Sequence, residues 1–302
     1  MRVLHLDSGR ELRGGQRQAL LLYEGLRRQG VEQQILCRGE LLRRSSGEPL
    51  SALATWRAAR DVDLIHAHDA RAHTLAAVCG RGRPVVVSRR VAFPVKTGAL
   101  NRWKYGQATL FLAVSGFVRD RLLKAGVPAN RIAVVPDGVV RPDPLPAFRA
   151  IALNPRVVAP ASDDPLKCEQ LARQACDMAG LDLALSSNLD ADLPNADIFL
   201  YLTESEGLGS ALILASMHAK PIVASRVGGV PEAVQDGETG LLVSNDPANV
   251  AQALTTLCSD PELAQRYAES AQARALRELS DDKMVARTLE AYRSVLATSS
   301  PT

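Results

Sequence analysis

Aromatic residues make up only 4% of the 302-residue chain. No apolar run reaches the roughly 18 residues that a bilayer crossing needs. Arg2, Asp7 and Arg10 interrupt the N-terminus where a secretory leader would need an apolar core, so the cytoplasm is the expected compartment. The five cysteines, Cys37, Cys79, Cys168, Cys176 and Cys258, form an odd set without zinc or redox spacing, and reduced, mostly buried thiols are expected. There is no phosphate loop ending in Gly-Lys-Ser/Thr and no Gly-x-Gly-x-x-Gly after the first apolar run, which argues against an NTPase or a dinucleotide enzyme. Few rings for base stacking and no recognisable module leave no nucleic-acid partner to expect.

What is present is a globular composition, 46% apolar and 23% charged, with Leu, Val, Ile and Ala to build the cores. The length suffices for two cores of ordinary domain size. A net charge of +3 conceals a division: residues 1–150 hold 25 basic against 12 acidic side chains (+13), and 151–302 hold 11 against 21 (−10). The basic half suits an anionic partner, a membrane surface, a lipid phosphate or nucleic acid, or else two domains of opposite sign attract each other.

In the first half, strand candidates at 3–6, 33–37, 64–66, 84–88, 109–114 and 132–135 alternate with helix candidates at 16–28, 51–60, 71–79 and 117–125, the last with Ser115 as N-cap. Residues 138–155 carry four prolines and read as a linker. The pattern then restarts, with strands at 156–159, 183–186, 198–202, 221–224 and 240–243. Helices follow near 166–179, 209–218 and 249–258, and a helical stretch from 261 to about 297 closes the chain. This alternation predicts α/β architecture: two Rossmann-like, doubly wound domains, 1–145 and 146–302, facing a cleft at the strand C-termini where such folds bind ligands.

The sharpest segment is 203–224, TESEGLGSALILASMHAKPIVA, followed by SRVGGVPEAVQDGETGLLV. A strand runs into a Glu-Gly-Leu-Gly turn and then a helix. Free N–H groups at such a turn and a positive helix end seat a diphosphate, and glycine lets the ligand come close. The order of Glu206, Gly207, Leu208, Gly209, Lys220, Pro221, Gly228, Gly229, Pro231, Glu232 and Gly240 resembles the donor-binding signature of the retaining family 4 glycosyltransferases, also called glycosyl transferases group 1. Gly14 and Gly15, the HAHD at 66–69 and VSGFVRDRLLKAGVPANRIAVVPDGV at 114–139 carry the resemblance through the first half.

The resemblance implies a GT-B fold with a trimmed second domain, an acceptor-side domain 1–145, a nucleotide-sugar domain 146–302 and a last helix crossing back. It implies a donor site of Gly14, Gly15, Lys167, Glu206, Gly207, Leu208, Gly209 and Ser210. Lys167 would neutralise the leaving diphosphate without metal, Glu206 would hold hydroxyls of the sugar, and Glu204 is the fallback for Glu206. Glu206 and Arg90 are the expected catalytic residues.

Four departures stand out. Leu214 replaces the second glutamate that holds the ribose, a contact worth about 1.5–3 kcal/mol. Ala161, Ser162 and Asp163 stand where an arginine precedes the phosphate lysine. Arg89 and Arg90 occupy the neighbourhood of a usual histidine, and Arg90 either grips a phosphate or acidic sugar or joins the basic surface that receives the acceptor. The interval from residue 167 to 206 is about one strand-helix unit short.

Arg89, Lys96, Trp103 and Lys104, in a stretch with Phe93 and Arg102, suit an acceptor or an anionic headgroup layer, or form a solvated loop with one anchoring tryptophan. Asp190 and Asp192 spell an Asp-x-Asp but lie in a polar connection. His66, His68, Asp69 and His73 have ligand chemistry, yet His66 and His68 are expected on opposite faces of their strand. No metal and no cofactor are expected. The implied activity is retaining, metal-independent sugar transfer from a nucleotide-diphosphate sugar to a lipid-linked or polysaccharide acceptor, as in cell-envelope polysaccharide or lipopolysaccharide biosynthesis, in the cytoplasm and peripheral to the membrane. The alternative is a catalytically silent protein of the same fold that binds a sugar nucleotide or a partner transferase.

Overall fold

The computed structural model describes residues 1–95 and 98–299. These form two compact units, one of residues 1–138 with 281–302 and the other of 139–280. The division falls at Gly138 rather than at 145, and the last helix groups with the first unit.

The first unit begins with β1 (Arg2–Leu6), α1 (Gly14–Arg28), β2 (Glu32–Cys37), α2 (Gly39–Ser45) and the short β3 (Glu48–Pro49). It continues through α3 (Ala52–Ala58), β4 (Leu64–Ala67), α4 (Ala70–Cys79) and β5 (Val85–Arg89). Then come α5 (Ala99–Gln107), β6 (Leu110–Ala113), α6 (Gly116–Lys124) and β7 (Ile132–Val134). The seven strands are parallel and ordered β3-β2-β1-β4-β5-β6-β7. Covered on both faces, β4 is buried at every residue, which is why it reads as an apolar run rather than an alternation. Short polar side chains start the helices: Asp69 accepts from Arg71 and Ala72 N–H at α4, and Ser115 from Val118 N–H at α6, as its sequence position predicts.

The second unit holds β8 (Arg156–Pro160), α7 (Glu169–Ala179), β9 (Asp182–Ser186), the single turn α8 (Leu189–Asp192) and β10 (Ile198–Tyr201). After these come α9 (Ser210–Met217), β11 (Ile222–Ser225), the single turn α10 (Val230–Ala233), β12 (Leu241–Val243), α11 (Pro247–Ser259) and α12 (Pro261–Glu278). Its five parallel strands are ordered β12-β11-β10-β8-β9. Val157, Ile198, Leu200, Val223, Val250, Leu254 and Leu257 form its core.

The stretch expected as one helical run from 261 is two helices. The chain leaves α12 at Leu279, and Asp281 and Asp282 open α13 (Asp281–Ser299). Carboxylates at a helix start favour its positive end. Val285, Leu289, Tyr292 and Val295 of α13 pack into the first unit's core with Leu22 and Leu26, and Asp281 pairs with Arg28 at 2.9 Å. The stretch around residue 100, for which a solvated loop was one of two readings, contains α5.

Candidate functional site

In a doubly wound sheet, ligands bind where the chain leaves neighbouring strands in opposite directions, beyond their C-terminal ends. In the second unit that point lies between β8 and β10. Beyond β8 a turn of 3₁₀ helix, Pro165–Lys167, presents Lys167; beyond β10 comes the loop 202–209. The two connections are fastened together, since Glu204 N–H and Thr203 Oγ1 both donate to Leu166 C=O, at 2.8 and 3.0 Å.

Lys167 Nζ lies 2.7 Å from Glu206 Oε2 and donates to Tyr201 Oη at 3.0 Å. The Tyr201 hydroxyl in turn donates to Glu206 Oε2, and Gly207 N–H donates to Glu206 Oε1 at 2.9 Å. Burial pushes the Glu206 carboxyl upward, but the Lys167 charge and the three donors outweigh it and hold it below the ordinary value. Burial and the neighbouring carboxylate push the Tyr201 phenol well above its usual value.

The Gly-Gly-x-Pro-Glu segment has a structural task at this point. Gly229 N–H donates to Glu206 C=O at 3.0 Å. Gly228 sits at φ +55°, and a Cβ on it would stand 2.3 Å from the same carbonyl oxygen. Gly209 takes φ +95° and opens α9 without a side-chain cap. Leu208 is buried, and Ser210 is the first residue of α9. The Gly207 N–H is engaged by Glu206 Oε1. Leu214 is half-buried on α9. Lys220 is elsewhere: at the start of β11, the other end of the sheet, it donates to Ala196 C=O at 2.8 Å. Asp190 and Asp192 lie on the single turn α8.

The first unit has its own switch point between β1 and β4. Asp7, just past β1, is fully buried; its carboxylate accepts from Gly9 N–H at 2.8 Å and Gln16 Nε2 at 3.2 Å. Burial, with the Asp69 charge adding, pushes it up to about 6 against the pull of Gly9, Gln16 and Arg90. Asp69 also accepts from Ser8 Oγ at 2.7 Å. Gly14 and Gly15 open α1, and an added Cβ at Gly15 would meet open space.

Arg90 is not part of the basic surface. Its side chain is 14% exposed and its Nε donates to Asp137 Oδ1 at 2.8 Å. Arg90, Asp137, Ser88 and Thr288 line a cavity of about 10 Å³, the room of one water, beside the buried Arg90 Nη1. Arg89, the preceding residue and the last of β5, donates instead to Tyr105 Oη and Phe93 C=O. Lys104 gives its carbonyl to His73, and Trp103 on α5 is exposed with Leu100, Phe93 and Val91. Lys96 lies outside the described residues.

The expectation that His66 and His68 face opposite ways is wrong, because residues two apart on a strand share a face. Their ring centroids are 4.1 Å apart, and the nearest ring nitrogens of His5, His66 and His68 all lie within 4.8 Å of one another. His66 is bonded through Nδ1 to Tyr292 Oη at 2.6 Å and through Nε2 to Ser88 Oγ at 2.8 Å, and His5 bonds His68 at 3.0 Å. Burial drives all three well below the ordinary imidazole value, so they are neutral. A shared ion would have to displace a bond of His66, whereas His5 Nε2 and His68 Nδ1 are buried with no hydrogen-bond partner.

Sequence reasoning missed Tyr201, Asp7, Gln16 and Asn245. Asn245 donates to Thr203 C=O at 3.0 Å and Glu204 Oε1 at 3.1 Å, tying the loop to the chain after β12. One signal was available for Asp7, a carboxylate directly after the first strand.

The family of glycosyl transferases group 1 matches residues 161–274, and Glycosyltransferase Family 4 matches residues 12–141. An alpha-maltose-1-phosphate synthase of Mycolicibacterium smegmatis is 38% identical over 112 residues, which is 35% of this chain and 29% of that protein. A D-inositol 3-phosphate glycosyltransferase of Streptomyces coelicolor is 30% identical over 161 residues, 51% of this chain and 35% of that protein. The matches thus span about a third of these relatives' length. Among solved structures, Anabaena Alr3699/HepE in complex with UDP and glucose superposes with a TM-score of 0.82 at 17% identity, over 97% of this chain and 100% of that one. A glycosyltransferase from Rickettsia africae gives 0.81 at 17% identity, over 99% of each chain. Both share the fold, and no helix among the described residues is long and apolar enough to cross a membrane.

Proposed function

Because the chain belongs to the group 1 glycosyltransferases, we propose that it moves a sugar from a nucleotide-diphosphate donor to an acceptor hydroxyl, with retention and without metal. The observation that carries the donor reading is the Lys167, Tyr201 and Glu206 cluster at the second unit's switch point. Lys167 offers an ammonium to the diphosphate, and the uncapped start of α9 at Gly209 and Ser210 offers free N–H groups to the same anion. Stabilising the departing diphosphate is the main source of rate where no side-chain nucleophile acts. Glu206, ionised and fixed at both oxygens, accepts hydroxyls of the transferred sugar. In the first unit, the open space at Gly15 leaves room for the donor sugar or its phosphates, and the Asp7, Asp69 and Arg90 group lies at the same switch point.

The acceptor in this proposal is lipid-linked or a polysaccharide of the cell envelope, such as lipopolysaccharide, reached from the cytoplasmic face. Its support is the exposed Val91, Phe93, Leu100 and Trp103 on a strongly basic unit. The relatives' names point instead to small acceptors, an inositol phosphate and malate. Paired assays with a soluble polyol phosphate and with a polyprenyl-linked saccharide separate the two.

Leu214 in place of the ribose glutamate favours one second reading, a silent protein that binds a sugar nucleotide or a partner transferase. The test is a thermal-shift screen against UDP, GDP, ADP and CMP and their sugar conjugates, followed by donor hydrolysis. A melting-point rise with one nucleotide family and slow release of its diphosphate are expected, since a ligand that prefers the native state stabilises it. Binding without any hydrolysis selects the silent reading, and no shift with any nucleotide rejects the donor site.

A further inference from the structure

Tyr201 ends an otherwise apolar strand and is 5% exposed. Its ring stacks on Phe199, with centroids 6.2 Å apart, and the Lys167 ammonium lies 5.2 Å from its centre. The direction of its hydrogen bonds follows from chemistry alone. An ammonium only donates and an ionised carboxylate only accepts, so the phenol oxygen receives Lys167 and its O–H must point at Glu206 Oε2. That oxygen therefore has two donors, one charged and one neutral, while Oε1 has Gly207 N–H.

We propose that Tyr201 is a positioning residue of the donor site, a neutral donor that keeps Glu206 ionised and aimed when Lys167 turns from the carboxylate to a diphosphate. The inference rests on the donor reading given above. One ammonium cannot serve a carboxylate and a diphosphate at full strength. A partly buried carboxylate that lost its charged partner and kept only one backbone N–H would take up a proton or swing away. With Tyr201 on one oxygen and Gly207 on the other, the carboxylate plane stays fixed and the remaining lone pairs face sugar hydroxyls. The other charged group of the loop, Glu204, is turned to Asn245 and Cys168, and the Gly229 N–H reaches the Glu206 main chain, so neither takes over the task. A phenol held well above its usual value remains a donor throughout the working pH range.

The test compares Tyr201→Phe, which keeps the stacked ring, with the unmodified chain. In the ligand-free protein, the Glu206 carboxyl carbon is titrated by NMR and assigned with Glu206→Gln. Its midpoint should rise by about one pH unit in Tyr201→Phe, and by more when Lys167→Met removes the ammonium first. In calorimetry, affinity for the nucleoside diphosphate that binds should stay within about twofold, while affinity for its sugar conjugate falls about tenfold. An unchanged midpoint, or equal weakening of both ligands, overturns the role of Tyr201. If the unmodified chain binds none of UDP, GDP, ADP or their glucose conjugates, the donor reading itself fails and the handover fails with it.

Discussion

Two carboxylates in this chain, one buried and one partly buried, respond to pH in opposite senses, and the difference lies in what faces them. Glu206 has a lysine at 2.7 Å and sits below its ordinary value, so its contribution to stability is present above the normal carboxylate range and is lost as pH falls through the lowered value. Asp7 is raised to about 6 by burial and the Asp69 charge. The folded state therefore holds a proton that the unfolded chain releases, and stability should fall as pH rises from about 4 to about 6. Asp7→Asn should flatten that decline in melting profiles taken across the window; an unaltered slope would remove Asp7 as its source. Glu206→Ala, read by nucleotide release from the sugar conjugate, should cost on the order of a hundredfold in turnover, the scale of a misplaced reacting group. Circular dichroism should still show the native fold, and full activity would take Glu206 out of the site.

At the scale of the element, the 228–229 turn is the buttress that sets where Glu206 stands. Gly228→Ala brings a methyl 2.3 Å from the Glu206 carbonyl oxygen at a left-handed φ. A loss of about 1–3 kcal/mol in denaturant unfolding is expected, together with weaker binding of the nucleotide sugar; a neutral substitution would mean that the turn yields freely. The signature glycines were legible in the sequence because glycine announces a backbone need. The strands were legible because sheets buried on both faces leave apolar runs, and Ser115 because a cap acts within one turn. What could not be read depends on residues far apart in the chain. Arg90 could be read as a catalytic or an acceptor-surface residue, but its partner Asp137, 47 positions on, was not visible in the sequence. Tyr201 passed as an apolar-strand residue because both its partners lie beyond its strand. The break at Leu279 was missed although the acidic pair Asp281 and Asp282, which favours a helix start, was there to read. His66 and His68 were misjudged through a wrong account of strand faces, not through any subtlety of the fold.

At the scale of the whole molecule, charge follows the two units rather than the two halves of the sequence. The first unit holds 26 basic against 14 acidic side chains, a formal +12, and the second 10 against 19, a formal −9. Attraction between units of opposite sign would account for such a division without any outside partner, but it would not require apolar side chains in water. The first unit leaves Leu100 76% exposed, with Trp103, Phe93 and Val91 also exposed and Arg102 beside them. An interfacial helix combines an apolar face with basic side chains, and its binding joins apolar burial to an attraction that salt weakens. Vesicles rich in phosphatidylglycerol should therefore sediment the protein at about 0.02 M salt and release most of it at about 0.5 M, where the Debye length shrinks to a few ångströms. Neutral phosphatidylcholine vesicles should retain little at either salt. Leu100→Ser with Trp103→Ser should lower the low-salt bound fraction while leaving the melting point unchanged, since no residue of α5 is buried. If anionic vesicles fail to capture the native chain at low salt, the charge division is an internal matter of the two units and the acceptor need not be membrane-bound.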